Sequence, residues 1–163
     1  MAEPATPDYR FGDLLALARQ RWTKKMAIEL EARGFPAYRV SDAASVRLLL
    51  GAPRPVGELG DLLGITRQAA RKVASNLEAR GYAVTAPDAG DARKLNVILS
   101  EAGRAYGSAI VDVITSLDRA LALRVAPGQL QAADAVLRAA IDDDACRARA
   151  QTIPVPAPLE ASS

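Results

Sequence analysis

The stretch Val56–Arg80, VGELGDLLGITRQAARKVASNLEAR, decides the fold because it holds two helical patterns separated by a turn signal. Gly64 suits the residue just past a helix C-terminus, since glycine adopts a left-handed conformation at little steric cost. Thr66 suits the N-cap of the next helix, where its hydroxyl can accept a hydrogen bond from a free backbone N–H. Gly60 is small enough for two helices to approach closely. The stretch therefore predicts a helix-turn-helix.

The second helix of this stretch has an apolar face and a polar face. Its apolar side chains recur at i, i+3, i+4 and i+7, namely Ala70, Val73, Ala74 and Leu77. The opposite face carries hydrogen-bond donors, namely Arg67, Gln68, Arg71, Lys72 and Ser75. Such donors on the N-terminal half of a recognition helix can enter a major groove and meet base edges. A basic helix face by itself is typical of a solvated surface, so the DNA-binding interpretation depends on the turn before it and the hairpin after it.

Two strands, Tyr82–Ala86 and Lys94–Leu99, are predicted directly after this helix, with a run of turn-forming residues between them. A hairpin in this position is the wing of a winged helix, able to lie over the adjacent minor groove or DNA backbone. Asp91 and Arg93 lie two positions apart in its loop. One interpretation is a weak surface ion pair, worth under about 1 kcal/mol. The other has Asp91 anchor the bend while Arg93 meets DNA.

Amphipathic helices are predicted on both sides of the winged helix. The first covers residues 11–33. Ser41 is expected to cap a second helix, and Ser100 to cap a long helix that continues toward Arg124. Pro127 suits the first turn of a last helix. The predicted fold class is mainly α with a small β-hairpin (α+β), a winged helix-turn-helix with flanking dimerisation helices.

Composition limits the classes of function. The chain has 163 residues, no histidine, a single cysteine and a net charge of +2. Without histidine, Ser-His-Asp and Cys-His catalysis and the common zinc sites are excluded, so we expect no enzyme and no cofactor. No stretch approaches the roughly 20 apolar residues of a membrane span, and no signal peptide is visible, which predicts a cytoplasmic protein without a membrane partner. The small positive charge is compatible with a nucleic-acid partner but does not demand one.

The domain organisation follows from these elements. Proline-rich and polar ends are predicted to be disordered or flexible. The predicted segments are a disordered N-terminus at 1–10, a single domain at 11–147 and a proline-rich tail at 148–163. Within the domain, the winged-helix core covers about 41–104, and the dimerisation helices cover about 11–34 and 100–145.

The wing resembles that of the MarR family of bacterial transcription regulators. The family's most specific stretch is Asp-x-Arg, three spacers, an apolar residue, one spacer, then Leu-Thr before a helix. In this chain the matching residues are Asp91, Arg93, Val97, Leu99 and Ser100, with serine in place of threonine. The resemblance extends from about Phe11 to about Ala145. Beyond the region from Val56 to Arg104 it consists of helix order and apolar pattern.

The resemblance implies a homodimer whose first and last helices interleave, and two winged helices on successive major grooves of a pseudo-palindromic operator in double-stranded DNA. It also implies release from DNA by a small aromatic effector. The expected function is a sequence-specific DNA-binding transcription regulator that acts as a repressor. The DNA-binding residues expected from the motif are Thr66, Arg67, Gln68, Arg71, Lys72, Ser75, Asp91 and Arg93.

This chain departs from the family in its wing. Thr85, Ala86 and Ala92 occupy positions where family members commonly carry basic residues. Fewer basic residues predict fewer phosphate contacts. The alternative function is a winged-helix protein-interaction module without sequence-specific DNA binding.

Smaller signals favour structural roles. Side chains that could line an effector pocket are more often core at helical spacing, namely Trp22, Met26, Tyr38 and Tyr106. Cys146 could sense oxidants but is expected to be inert. Asp142, Asp143 and Asp144 are adjacent on a predicted helix end and point in different directions, which disfavours a metal site.

Overall fold

The computed structural model describes residues 10–91, 93–141, 144 and 146–147. Along the described chain the elements are α1 (Phe11–Ala32), α2 (Val40–Leu49), β1 (Arg54–Pro55), α3 (Val56–Leu63), α4 (Arg67–Ala79), β2 (Ala83–Pro87), β3 (Leu95–Leu99), α5 (Glu101–Ala122) and α6 (Gln129–Ala139). The predicted fold class is confirmed. The expected disorder at 1–10 and the tail at 148–163 fall outside the described residues, apart from Arg10, as do Ala92, Asp142 and Asp143.

The helix-turn-helix forms where it was predicted. Gly64 follows α3 with a φ of 64°, in the left-handed region that glycine tolerates. The hydroxyl of Thr66 accepts a hydrogen bond from the backbone N–H of Ala69 at 3.2 Å, as an N-cap does. A Cβ built on Gly60 would lie 3.2 Å from the Cβ of Ala70, so α3 and α4 approach closely at this glycine.

The predicted hairpin is part of a three-stranded antiparallel sheet with the order β1-β3-β2. In the hairpin, Ala83 lies opposite Leu99 and Pro87 opposite Leu95. The third strand was not predicted. Arg54 of β1 pairs with Val97, so the short segment between α2 and α3 covers the edge of β3 that β2 leaves open. Two residues, one of them proline, are too short to show alternation in the sequence.

The predicted cap of α2 is wrong. The helix begins at Val40 with Arg39 at the N-cap position, and no side chain caps it. The hydroxyl of Ser41 instead donates to Asp42 Oδ1 at 3.3 Å. A serine followed by an aspartate offers two cap candidates in a row, and helix starts are uncertain by one or two residues when read from sequence.

The predicted place of Pro127 is also wrong, because α6 begins two residues later, at Gln129. Gly128 has a φ of 83°, a left-handed conformation that cannot belong to the first turn of a right-handed helix. Gln129 closes this turn by accepting a hydrogen bond from the backbone N–H of Ala126 through Oε1 at 2.8 Å.

The core lies between helices α1 to α5 and the sheet. The predicted apolar face of α4 is buried in full, namely Ala70, Val73, Ala74 and Leu77. Met26 and Tyr106 are fully buried, while Trp22 and Tyr38 pack against the core from its edge. The interpretation of these four side chains as core is confirmed.

Two helices leave apolar side chains uncovered within the described chain. In the N-terminal half of α1, Phe11 and Leu14 are each 46% exposed and Leu17 is 60% exposed. No residue of α6 is buried. Among the helices that the structure describes, none has the length and apolar content to cross a membrane.

Candidate nucleic-acid interface

A groove of about 570 Å³ lies between α3, α4 and the wing, which here means residues 83–99. Among its lining residues are four cationic side chains, Arg67 and Arg71 from α4 and Arg93 and Lys94 from the wing. Ser75 also lines it. The two cations of α4 are 20 or more positions from the two cations of the wing, and the fold brings them onto one concave surface. All four are exposed to solvent.

The other predicted residues of α4 lie beside this groove rather than in its lining. Gln68 and Lys72 are exposed and four positions apart, so they share a strip of the helix next to the strip of Arg67 and Arg71. Thr66 is exposed and occupied as the N-cap. The helix thus presents two adjacent polar strips at its N-terminal half, and the wing faces one of them.

The loop of the wing is held by its own carboxylates. Asp88 Oδ1 accepts hydrogen bonds from the backbone N–H groups of Gly90 at 2.8 Å and Asp91 at 3.2 Å, and Oδ2 accepts from Asn96 Nδ2 at 2.8 Å. The bonds from Asn96 and Gly90 lower the pKa of Asp88. Asp91 Oδ1 accepts from the backbone N–H of Arg93 at 3.1 Å. The Asp91 carboxylate therefore bonds to the backbone of Arg93, while the Arg93 side chain lines the groove.

The wing is fixed to α4 by a contact that the sequence did not reveal. Glu78 Oε1 accepts hydrogen bonds from both the backbone N–H and the hydroxyl of Thr85, each at 2.8 Å. Thr85 was noted in the sequence only as a neutral wing position, and Glu78 was not noted at all. A glutamate and a threonine seven positions apart give no periodic signal, because their contact depends on the turn between helix and strand.

The charge of the groove is mixed. Besides its four cations it is lined by the carboxylates of Glu58, Asp61 and Glu78. Glu58 forms a salt bridge with Arg54 of β1, which also donates from Nε to the carbonyl of Leu48 at 3.3 Å. The groove is therefore only weakly positive, in keeping with the small net charge of the chain.

Arg80 joins the end of α4 to other parts of the chain. Its Nη1 donates to Asp42 Oδ2 at 2.9 Å, and the Asp42 side chain has no exposed area. Its Nη2 donates to the carbonyl of Pro36 at 2.7 Å. The guanidinium carbon lies 4.7 Å from the ring centre of Tyr82 and 5.5 Å from that of Tyr106.

A second group of titratable side chains lies on the other side of α2. Burial raises the pKa of Asp118 on α5, although Arg47 of α2 opposes the change. Burial also lowers the pKa of Arg47 itself, against the attraction of Tyr38 and Asp118. These three groups are half-buried together at the junction of α2, α5 and the turn before α2. The sequence singled out only Tyr38.

Comparison with known proteins shows which family the winged helix resembles. The model of the MarR family matches residues 46–94, which cover the last turn of α2, the helix-turn-helix, β2 and the wing loop. No curated protein matches the sequence. The family resemblance noted in the sequence is confirmed by this match over residues 46–94, and solved structures share the fold.

Three solved structures illustrate the likeness. A probable transcriptional regulator from Pseudomonas aeruginosa is 27% identical, with a TM-score of 0.68 over 82% of this chain and 98% of that one. MepR of Staphylococcus aureus in complex with DNA is 15% identical, with a TM-score of 0.71 over 82% and 98%. BpsR of Bordetella bronchiseptica, whose DNA binding is regulated by 6-hydroxynicotinic acid, is 22% identical, with a TM-score of 0.68 over 87% and 100%.

Proposed function

We propose that this chain, which carries the MarR-family winged helix, is a sequence-specific DNA-binding transcription regulator. In this proposal it acts as a homodimeric repressor that a small-molecule effector releases from DNA. The observation that carries the proposal is the groove in which Arg67 and Arg71 of α4 meet Arg93 and Lys94 of the wing. Cations from a recognition helix and from a hairpin beside it suit the phosphates on both sides of a major groove.

The polar residues of α4 contact either base edges or the DNA backbone in this proposal. Gln68 and Arg71 are exposed in the N-terminal half of the helix, where a recognition helix meets base edges. Gln can bond adenine and Arg can bond guanine through two hydrogen bonds each. Arg67, Lys72 and Ser75 are assigned to bases and backbone together, and Arg93 to the backbone or minor groove. Asp91 holds the wing loop for Arg93.

The dimer is supported by the uncovered apolar side chains of α1 and α6. Phe11, Leu14 and Leu17 would leave water if these helices packed against a second copy of the chain. A Leu14→Asp, Leu17→Asp variant should then sediment as a monomer and lose operator affinity. Sedimentation of the unaltered chain as a monomer would contradict the dimer.

The effector in this proposal is a small aromatic acid. BpsR shows that a protein of this fold can couple a small aromatic acid to DNA binding. The half-buried Arg47 could pair with the carboxylate of such an acid.

A protein-interaction module is the second candidate, and the carboxylates of the groove favour it. Glu58, Asp61 and Glu78 would repel phosphates but could pair with basic side chains of a partner protein. A module of this kind would keep the winged-helix fold without reading a DNA sequence.

Selection of bound duplexes from random DNA tests the proposal. The regulator should enrich a pseudo-palindrome with half-sites about one helical turn, some 34 to 36 Å, apart. Titration of the enriched duplex at moderate salt should saturate at two chains per duplex. Enrichment of no sequence, or binding equal to that of scrambled DNA, would contradict the proposal and favour the interaction module.

A further inference from the structure

We infer that Arg80 is a positioning residue for DNA recognition, which holds α4 at a fixed angle to the turn between α1 and α2. The inference rests on the proposed function. Arg80 and the groups that bind it are called the latch here, namely Arg80, Asp42, Pro36, Tyr82 and Tyr106.

The latch joins the end of α4 to two points outside the helix-turn-helix. Arg80 is the residue directly after α4, and one guanidinium nitrogen donates to Asp42 in the first turn of α2 at 2.9 Å. The other terminal nitrogen donates to the carbonyl of Pro36, before α2, at 2.7 Å. Two bonds that diverge from one planar group fix its direction as well as its distance.

The surroundings leave Arg80 little freedom. Asp42 is fully buried, and a buried carboxylate that loses its cation is strongly unfavourable. The rings of Tyr82 and Tyr106 stack on each other with centres 4.6 Å apart, and the guanidinium lies within cation–π distance of both. Because Tyr106 belongs to α5, the latch connects the end of α4 to a third helix.

The turn that presents the Pro36 carbonyl has a defined and unfavourable shape. Ala37 has a φ of 58°, and it is the one non-glycine residue with a positive φ among those described. A residue with a Cβ persists in this conformation only when its surroundings determine it. The turn is therefore held in place together with the guanidinium that bonds to it.

A small change of angle at Arg80 would matter at the far end of α4. The helix has 13 residues and is therefore about 20 Å long. A tilt of about 10° about its C-terminal end would move Arg67 by roughly 3.4 Å, the rise of one base pair. In a dimer with two recognition helices, the latch thus sets the half-site spacing that both helices can match.

The test is Arg80→Lys, which keeps the charge but lacks the planar fork that reaches Asp42 and Pro36 together. The probes are the duplex selected from random DNA, the same duplex with one base pair added or removed between half-sites, and a scrambled duplex. Affinity for the selected duplex should fall about tenfold, while affinity for scrambled DNA stays within about twofold. Adding or removing one base pair between the half-sites should reduce the affinity of the variant by a smaller factor than it reduces the affinity of the unaltered chain.

The matched control is Arg104→Lys on α5. Arg104 is exposed and donates from Nη1 to the carbonyl of Leu99 at 2.8 Å, outside the latch. Its exchange should change neither affinity nor spacing preference. Asp42→Asn is a second variant, because asparagine keeps an oxygen acceptor for Arg80 without the charge; it should give a smaller change in the same direction.

Circular dichroism and sedimentation first establish that each variant is folded and dimeric. An Arg80→Lys protein with unchanged affinity and unchanged spacing preference would overturn the inference alone. So would an equal loss on selected and scrambled DNA, which would make Arg80 a phosphate contact. If the unaltered chain selects no sequence, the proposed function fails before any variant is compared, and the inference fails with it.

Discussion

Glu78 on α4 accepts two hydrogen bonds from Thr85 on β2, one from the backbone N–H and one from the hydroxyl, both at 2.8 Å. This contact fixes the wing against α4 at the groove that both line. Glu78 also adds a negative charge to a surface that we propose meets phosphates. Its geometric role and its electrostatic role can be separated by substitution.

Glu78→Gln should tighten binding to selected and scrambled DNA alike, because glutamine keeps an acceptor for Thr85 and removes the repulsion of phosphates. Glu78→Ala should free the wing, so that the further substitution Arg93→Ala costs less than it does in the unaltered chain. A double-mutant cycle on DNA affinity measures this coupling, expected at about 0.5 to 3 kcal/mol. Additive losses would show that Glu78 does not position Arg93.

Substitution of single polar side chains on α4 should weaken the sequence preference of DNA binding. Gln68→Ala or Arg71→Ala should cost about 1 to 3 kcal/mol on the selected duplex and relax preference at particular base pairs. Competition titrations with single-base variants of the duplex measure both effects. An equal loss on every sequence would instead assign these side chains to phosphates.

The wing should respond to added charge. Ala86→Arg together with Ala92→Arg could add roughly two phosphate contacts per subunit and steepen the log–log salt dependence by about three to four units in a dimer, at −0.9 per contact. Arg93→Ala should make the dependence shallower. Affinity measured from low to moderate salt provides the slopes. A folded, dimeric double-arginine variant with an unchanged slope would mean that the wing does not approach DNA.

Tyr106 should make the fold sensitive to alkaline pH. Burial raises its pKa to about 12, while the unfolded chain ionises near the ordinary value of 10.0. The contribution of Tyr106 to stability is therefore complete below pH 10 and is lost as the pH rises toward about 12. Tyr106→Phe should remove this contribution to the loss of stability at alkaline pH. Denaturant titrations of both proteins between pH 9 and about 12 test it, and parallel pH profiles would contradict it.

Tyr106→Phe should cost little stability at neutral pH, because its buried hydroxyl has no hydrogen-bond partner among the described residues. Removing an unsatisfied hydroxyl while keeping the ring is nearly neutral or stabilising. The same titrations at pH 7 provide this value. A marked loss of stability would show that the hydroxyl has a partner, such as a buried water molecule.

Ala37 and Gly34 should respond in opposite directions to exchange of alanine and glycine. Both have a positive φ, 58° for Ala37 and 84° for Gly34. A Cβ in this region costs roughly 1 to 2 kcal/mol, and the greater freedom of glycine in the unfolded chain offsets about 0.4 to 1 kcal/mol. Ala37→Gly should thus stabilise the fold by up to about 1.6 kcal/mol, and Gly34→Ala should destabilise it by a similar amount. Chemical denaturation measures the two changes, and equal signs would contradict the prediction.

The sequence by itself determined the helix-turn-helix, the hairpin and the faces of α4. These features depend on contacts between residues a few positions apart, such as the bond from Thr66 to Ala69 or the left-handed turn at Gly64. Helical spacing also identified Arg67, Gln68, Arg71, Lys72 and Ser75 as one polar face. Local periodicity reports such relationships directly. The cap of α2 was misplaced because neighbouring residues offered competing helix starts. The start of α6 was misplaced because Gly128 adopts a left-handed conformation after Pro127.

Only the tertiary structure decided which distant residues meet. Three sets of contacts join different elements of the fold, and neither the helical nor the strand period predicts them. They are the pairing of β1 with β3, the hydrogen bonds from Thr85 to Glu78, and the hydrogen bonds from Arg80 to Asp42 and Pro36. Asp42 lies in the first turn of α2 and Arg80 directly follows α4. Charged side chains at helix ends are usually exposed to water. Packing instead buried the carboxylate beside the guanidinium, and a buried charge requires a partner, so the position of each depends on the whole fold.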